Sequence, residues 1–386
     1  MQTDKRAFII AQNGSRIFGG GERYIVKLLK RLQARGHRVL FLCRDDFVAS
    51  ECERRGVEAR VLHVGGQIAL HDAVRFGWFL RRESPDALLL SSFNKVFLGA
   101  MAGRLGRVPR VVARFGLSTD RPARRFVYPI AIRHWMDRVV VNSTEFRDGI
   151  RTDLPDLDPA RVITIFNGVD APERRQPRGA LRRELGIGPD QPVIGTLARL
   201  SGQKRLDRLL RVIAELPDDV TCLIAGHGPQ EPDLRELAKS LGVERRVRFL
   251  GLRDDVGDVL DALDVYVVTS ATEGMSNSML EALACGVPVI STPVSGASAA
   301  LEPLVDGRVP GRIVEPETRV LTAAVAELLA DGELRRGMGE AALARIRERF
   351  DWGEKIDRWE QILTGDVMAP VGEGARPLTA EASPAR

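Results

Sequence analysis

The sequence predicts an α/β fold built from two doubly wound, parallel-sheet domains. Three observations carry this. Strand-length runs that are apolar throughout alternate with longer amphipathic stretches almost to the end of the 386 residues, as expected of parallel strands covered on both faces by helices. The alternation breaks once, at the polar, proline-flanked stretch 171–178 (Ala-Pro-Glu-Arg-Arg-Gln-Pro-Arg), a linker signal, and then resumes. The length also suits two domains better than one.

In the first half, residues 7–11 (Ala-Phe-Ile-Ile-Ala) read as the first strand and residues 24–32 have helical periodicity. Residues 38–42, 87–91, 110–114 and 138–142 are further apolar strands. The second series runs through 193–196, 222–225, 247–250, 265–268 and 287–290. The expected domains are therefore 1–172 and 173–351. From about Gly365 the composition loses all periodicity, so 365–386 is expected to be a disordered tail. Ligands of such sheets bind beyond the carboxyl ends of the strands, and a cleft between two domains suits that.

Composition excludes several classes. No stretch approaches the ~20 apolar residues of a membrane-spanning helix. The start, Met1-Gln2-Thr3-Asp4-Lys5-Arg6, leads straight into a strand and lacks the apolar core of a secretory signal. The cysteines Cys43, Cys52, Cys222 and Cys285 form no CxxC pair, and Cys43 and Cys222 lie in apolar runs. Buried free thiols in a reducing cytosol follow, hence a cytoplasmic protein. No metal-ligand cluster stands out among the cysteines and histidines. The net charge of +5 conceals an asymmetry. Residues 1–185 hold 34 Lys and Arg against 20 Asp and Glu, a net +14, and the remainder 23 against 32, a net −9. A basic half attracts an anionic membrane surface or acidic substrate, or is simply a solvated arginine-rich face. Nucleic acid is the weakest option, because aromatics are only 5% and no recognition motif is present.

The chemistry concentrates in Glu273-Gly274-Met275-Ser276-Asn277-Ser278-Met279-Leu280-Glu281, which follows an apolar strand. A Gly/Ser-rich turn there lets backbone N–H groups approach a ligand. A helix starting near Asn277 or Ser278 favours an anion at its N-terminus. Taken alone, Ser278-x-x-Glu281 reads as a capping box in which Glu281 only satisfies a backbone donor. Glu273, in the loop at the strand's carboxyl end, has no such explanation. Arg199 and Lys204 lie in the loop after the strand 193–196, and two cations at the mouth of a sheet suit a diphosphate. Gly19-Gly20-Gly21-Glu22 precedes the first long helix and permits close backbone approach. It lacks the Gly-Lys-Ser/Thr of a Walker loop and the GxGxxG spacing of a dinucleotide site. Gly226-His227-Gly228-Pro229 and Asn167-Gly168-Val169-Asp170 each read alone as turns.

In their order, these motifs, with Val305-Asp306-Gly307 and Arg349-Phe350-Asp351-Trp352, make the chain resemble the large retaining glycosyltransferase family 4 over about residues 5–365. The resemblance implies the two-domain GT-B fold, with Rossmann-like halves and a last helix, about 352–364, returning to the first domain. It implies transfer of a sugar from a UDP- or GDP-sugar, which is a substrate, with no cofactor and no metal, to a glycan or lipid-linked acceptor of envelope lipopolysaccharide or polysaccharide. By matching position, Glu273 would contact the donor sugar near the reacting centre. Glu281 would hold ribose hydroxyls, and Arg199 and Lys204 the diphosphate. Backbone N–H groups of Gly274, Met275 and Ser276 would meet sugar hydroxyls. The loop of Gly19, Gly20 and Gly21 would close on the diphosphate, and His227 and Gly228 would complete the donor side.

Two positions depart from the family. Relatives often carry His-Gly where this chain has Arg114-Phe115-Gly116, and histidine near Asn94. Arginine cannot serve as a general base. Arg114 and Asn94 become acceptor-side candidates, Arg114 binding an acidic group or forming a structural ion pair. The stretch 121–135, basic and rich in large apolar residues, fits either docking at an anionic membrane, peripherally on its inner face, or packing on the first sheet. The alternatives to a transferase are a sugar-nucleotide epimerase on the same fold and a non-catalytic nucleotide-sugar binding protein.

Overall fold

The computed structural model describes residues 6–14, 18–62, 70–91, 96–116 and 127–365. Two separate parallel sheets are present. The first contains β1 (Phe8–Gln12), β2 (Arg38–Cys43), β3 (Ala59–Val61), β4 (Ala87–Leu90), β5 (Arg110–Phe115), β6 (Arg138–Val141) and β7 (Val162–Thr164). Its strand order is β3-β2-β1-β4-β5-β6-β7. The second contains β8 (Val193–Leu197), β9 (Thr221–Ala225), β10 (Val247–Gly251), β11 (Val265–Val268), β12 (Val289–Ser291) and β13 (Gly311–Ile313), in the order β10-β9-β8-β11-β12-β13. Both orders reverse once, between β1 and β4 and between β8 and β11. A crevice opens at each such point, where adjacent strands send their following helices to opposite faces.

Apolar strands explain the layers. All five residues of β1 and all four of β4 and β11 are buried, so each sheet must be covered twice. The first long helix, Gly20–Ala34, turns Tyr24, Ile25, Leu28, Leu29 and Leu32 onto the sheet, the spacing of one helical face. Three features depart from the sequence expectation. The strands β3, β7 and β13, three residues each at sheet edges, are additional to those expected; β3 and β13 lack an apolar run, whereas β7 opens the run Val162-Ile163-Thr164-Ile165-Phe166. The strand expected from Val287 begins at Val289, because Pro288 has no N–H to give a ladder. The glycine run is the cap and first turn of its helix, with Gly19 as N-cap and Gly20 as first residue.

The chain passes between the sheets twice, side by side. Ile165 belongs to the first domain's core, while Val169 lies in the second's with Phe166 packed against it. This crossing comes ahead of the polar stretch 171–178, which runs along the second domain: Asp258 accepts from the backbone N–H of Arg175 and Gln176 at 2.9 and 3.2 Å. On the return, Phe350 packs in the second core and Trp352 in the first. Val169 N–H donates to the Phe350 carbonyl at 2.9 Å. Gly168 lies flat on the Trp352 indole, where a Cβ would come within 2.5 Å. The last helix, Trp352–Thr364, then seats Ile356, Trp359, Ile362 and Leu363 in the first domain's core. Trp359 donates its indole N–H to the Tyr24 hydroxyl at 3.0 Å. Truncating a side chain of that size in a core costs about 3–5 kcal/mol.

Candidate active site

The second sheet's crevice is walled by the loops after β8 and β11, and these loops are stitched together. Ala271 N–H donates to the Gln203 carbonyl at 2.8 Å. Gln203 Nε2 donates to the Thr272 carbonyl at 2.7 Å, and Thr269 Oγ1 to the Lys204 carbonyl at 3.0 Å. The stitching brings Lys204 Nζ onto Glu273 Oε1 as an ion pair. Ser270 Oγ donates to the same oxygen at 2.7 Å. Glu273 is only 7% exposed, and these partners meet the hydrogen-bonding needs of a side chain so far from water. A small pocket lies beside the pair, lined by Thr196, Ala198, Lys204, Tyr266, Glu273 and Ser276 among others.

Directly after Lys204, Arg205 has φ 48° and ψ 45°, the left-handed region that a side chain enters at a cost. A two-bond grip on Asp207, at 2.9 Å each, helps hold it there. Arg199 is exposed, and its guanidinium meets no hydrogen-bond or ion-pair partner among the described residues.

Glu273 leads into the helix Asn277–Ala284. Its N-cap is Ser276, whose hydroxyl accepts from Met279 N–H at 3.4 Å. The capping box expected at Ser278 and Glu281 is therefore not formed: Ser278 already lies in the first turn, and Glu281 is one turn further on. Glu281 instead lies within the field of Lys27 and Arg23 of the first helix and of Asp170. Burial pushes its pKa up, the two cations pull it down and Asp170 adds to the rise, with a net upward shift from 4.5.

The loop after β9 packs on the loop after β8. A Cβ on Gly226 would lie 1.9 Å from the Ala198 carbonyl oxygen, and one on Gly228 2.2 Å from that of Leu200, so both positions require glycine. His227 between them is exposed, with Nδ1 3.4 Å from Glu231 Oε2.

The first domain closes on this site at three places. Gly274 meets Gly116 at the end of β5 so tightly that a Cβ would stand 1.7 Å from the Gly116 carbonyl oxygen. Asn277 Nδ2 donates to the Gly20 carbonyl at 3.0 Å, so the N-termini of two helices, each favouring an anion, meet at one point. Ser298 Oγ donates to Glu145 Oε1 at 2.6 Å. Burial raises the Glu145 pKa, but hydrogen bonds from Ser298, its own backbone, Ser143 and Gly296 hold it lower overall.

Arg114 is 6% exposed and faces inward. It donates from Nη2 to Asn167 Oδ1 at 2.8 Å and lies 4.1 Å above the Tyr24 ring. It is thus held by a neutral amide and an aromatic face, with no carboxylate in salt-bridge range among the described residues. Burial lowers its pKa, opposed by Tyr24 and Glu22. Asn94 and residues 117–126 lie outside the described residues, as do residues 366–386 of the expected tail. The remainder of the basic apolar stretch is the helix Val127–His134, whose Tyr128, Ala131 and Ile132 are buried in the first core. No helix among the described residues is long and apolar enough to cross a membrane, and no group of His, Cys, Asp or Glu among them could hold a metal ion.

Sequence reasoning missed Ser270, Glu145 and the role of Asn277. Ser270 and Asn277 had a weak signal, flanking the glutamate loop; the Glu145 contact spans 153 residues and had none.

Two doubly wound domains whose crevices face each other, with an ion pair at the mouth of one and a helix N-terminus on each side, make a GT-B architecture. Residues 18–172 match the model of Glycosyltransferase Family 4 and residues 177–345 that of Glycosyl transferases group 1. The lipopolysaccharide core biosynthesis glycosyltransferase LpsE of Rhizobium meliloti (strain 1021) is 28% identical over 356 residues, 89% of this chain and 96% of that protein. The N-acetyl-alpha-D-glucosaminyl L-malate synthase of Bacillus anthracis is 31% identical over 206 residues, 52% of this chain and 53% of that protein. The crystal structure of Anabaena HepE in complex with UDP and glucose superimposes with a TM-score of 0.81 at 22% identity, covering 93% of this chain and 100% of that one; the likeness is one of fold. The chain belongs to the family 4 group of GT-B glycosyltransferases.

Proposed function

We propose that this glycosyltransferase moves a sugar from a nucleoside-diphosphate donor to a glycan or lipid-linked acceptor of the cell envelope, with retention of anomeric configuration and without a metal. The observation that carries the reading is the Lys204–Glu273 pair at the crevice of the second sheet, beside the two converging helix N-termini. Arg199 and Lys204 neutralise the departing diphosphate, which is where charge develops as the glycosidic C–O bond breaks. The first turn of the Gly20–Ala34 helix and the N–H groups after Glu273 add oriented dipoles. Glu273 orients the donor sugar, and Glu281 accepts from the ribose. In a front-face transfer the acceptor oxygen bonds to the anomeric carbon on the side the diphosphate leaves, and its proton passes to a leaving phosphate oxygen. No protein base is needed for that step, which accommodates Arg114 and Phe115 before Gly116.

Thermal shift with UDP, GDP, ADP and their sugars tests the donor site, since a ligand at 100 times its Kd stabilises by about 2.7 kcal/mol. One nucleotide is expected to stand out, and transfer to glycolipid in vesicles should then follow, with the anomeric configuration of the product read by NMR. Stabilisation by none of them removes the donor-site reading. An inverted product removes retention, and a rate indifferent to anionic lipid removes contact of the basic first domain with a membrane.

Glu281 offers a separate check. Its raised pKa means that the folded protein binds that proton more tightly than the unfolded chain. The associated stability is complete below the ordinary carboxylate pKa and is lost as pH rises through the folded value. At neutral pH, Glu281→Gln is therefore expected to raise the melting temperature while weakening nucleoside-diphosphate binding about tenfold, the loss of one charged hydrogen bond. Unchanged affinity by calorimetry would remove Glu281 from the donor site.

A further inference from the structure

A chain of four groups runs from the first domain's interior through the crossing strand to the second domain and back. Arg114 Nη2 donates to Asn167 Oδ1 at 2.8 Å, Asn167 Nδ2 to Asn277 Oδ1 at 2.7 Å, and Asn277 Nδ2 to the Gly20 carbonyl at 3.0 Å. The direction of the chain is forced by its ends. A guanidinium can only donate and a backbone carbonyl can only accept, so each amide has one permitted orientation. Arg114 and Asn167 are 6% and 2% exposed, where an unmet polar group costs about 1–3 kcal/mol.

The positions of these groups give the chain a task. Asn167 sits at the crossing, one residue before the glycine that lies against Trp352. Asn277 is the first residue of the helix that carries Glu281 and follows the Glu273 loop. Gly20 is the first residue of the facing helix. Asn277 therefore joins the crossing to the far wall of the cleft. Its bond to Gly20 is, with the Ser298–Glu145 hydrogen bond and the Gly274–Gly116 contact, among the links that must break if the second domain swings away from the first.

We propose that Asn167 and Asn277 are positioning residues: their directed amide pair holds the first turns of the two facing helices together and so keeps the cleft closed. That the closed cleft serves the donor diphosphate rests on the function proposed above; the holding of the cleft does not.

Asn167→Asp separates this role from a structural one. The new carboxylate accepts from Arg114 as an ion pair, so the fold retains its buried partner. It cannot donate to Asn277. Asn277 must then either face the carboxylate with its oxygen or turn that oxygen on the Gly20 carbonyl, and both arrangements repel. The expected result is an unchanged or raised melting temperature, a larger radius of gyration by X-ray scattering without ligand, and a kcat at least about tenfold lower. Asn277→Ala, at a half-exposed helix start, should enlarge the radius of gyration in the same way and serves if the aspartate variant fails to fold. A radius of gyration equal to wild type in the soluble variant overturns the inference, whatever the transfer rate. If the wild type transfers from no nucleotide sugar, the proposed function fails and the scattering comparison still decides this one.

Discussion

Glu273→Gln is expected to yield a folded protein whose glycosyl transfer is slower by about 100-fold or more, the scale of removing one preorganised electrostatic group from an active site. The glutamine amide keeps the length of the side chain and can still accept from Ser270. It cannot hold Lys204 by charge. Lys204 loses the partner that fixes it, and the site loses the carboxylate that faces the donor sugar in our reading. Removing one member of a buried pair can cost 3–5 kcal/mol. The Lys204 side chain is 20% exposed and can turn its ammonium to water, so the loss of stability should be smaller than the loss of rate. Steady-state transfer together with thermal unfolding measures both. Full transfer by Glu273→Gln would sink the role given to this residue. A loss of rate matched by a collapse in melting temperature would make the residue structural.

Gly274→Ala is the second large effect, and it comes from shape alone. The added methyl would stand 1.7 Å from the Gly116 carbonyl oxygen, 2.6 Å from its carbon and 3.0 Å from Asn142 Oδ1. No rotamer relieves a clash between a Cβ and a backbone carbonyl, so the glutamate loop and the end of β5 must part by more than an ångström. A displacement of that size in a catalytic arrangement costs on the order of 100-fold in rate. Overpacking of this kind costs about 1–3 kcal/mol of stability. Because the clash crosses the cleft, Gly274→Ala should also open the protein in solution and leave each domain's core intact. Wild-type kinetics and an unchanged radius of gyration for this variant would show that Gly116 and Gly274 do not meet in the working enzyme.

Much of this architecture was legible in the residues. Fully apolar runs such as 7–11, 87–90 and 265–268 fit the interior of a covered parallel sheet in an α/β chain. The order of short glycine-containing motifs along the chain was informative for a related reason. Each marks a point where backbone must approach backbone, as Gly226 and Gly228 approach the loop after β8, and such points recur at strand ends. What misled was local sufficiency. Ser278 and Glu281 have the spacing of a capping box, yet the helix begins at Asn277 with Ser276 as its cap. The choice between the two serines depends on where the loop after β11 has to leave for Gln203 and Lys204, and that is not a local property. The three-residue edge strands β3 and β13 were invisible because their pairing comes from the neighbouring strand more than from their own propensity, whereas β7 opens the apolar run Val162-Ile163-Thr164-Ile165-Phe166 and was legible in the residues.

By itself the sequence determined two doubly wound domains, the loops that carry Glu273, Lys204 and Arg199, and the helix that follows, because side-chain periodicity and glycine placement are encoded within a few residues. Only the tertiary structure decided that Glu273 faces Lys204, that Arg114 turns inward to Asn167 and Tyr24, that Glu281 lies in the field of the first helix and that Gly274 abuts Gly116. These contacts join residues 53 to 158 or more positions apart. Their energies depend on distance and burial, which the chain acquires only when both sheets have formed and the last helix has returned to the first domain.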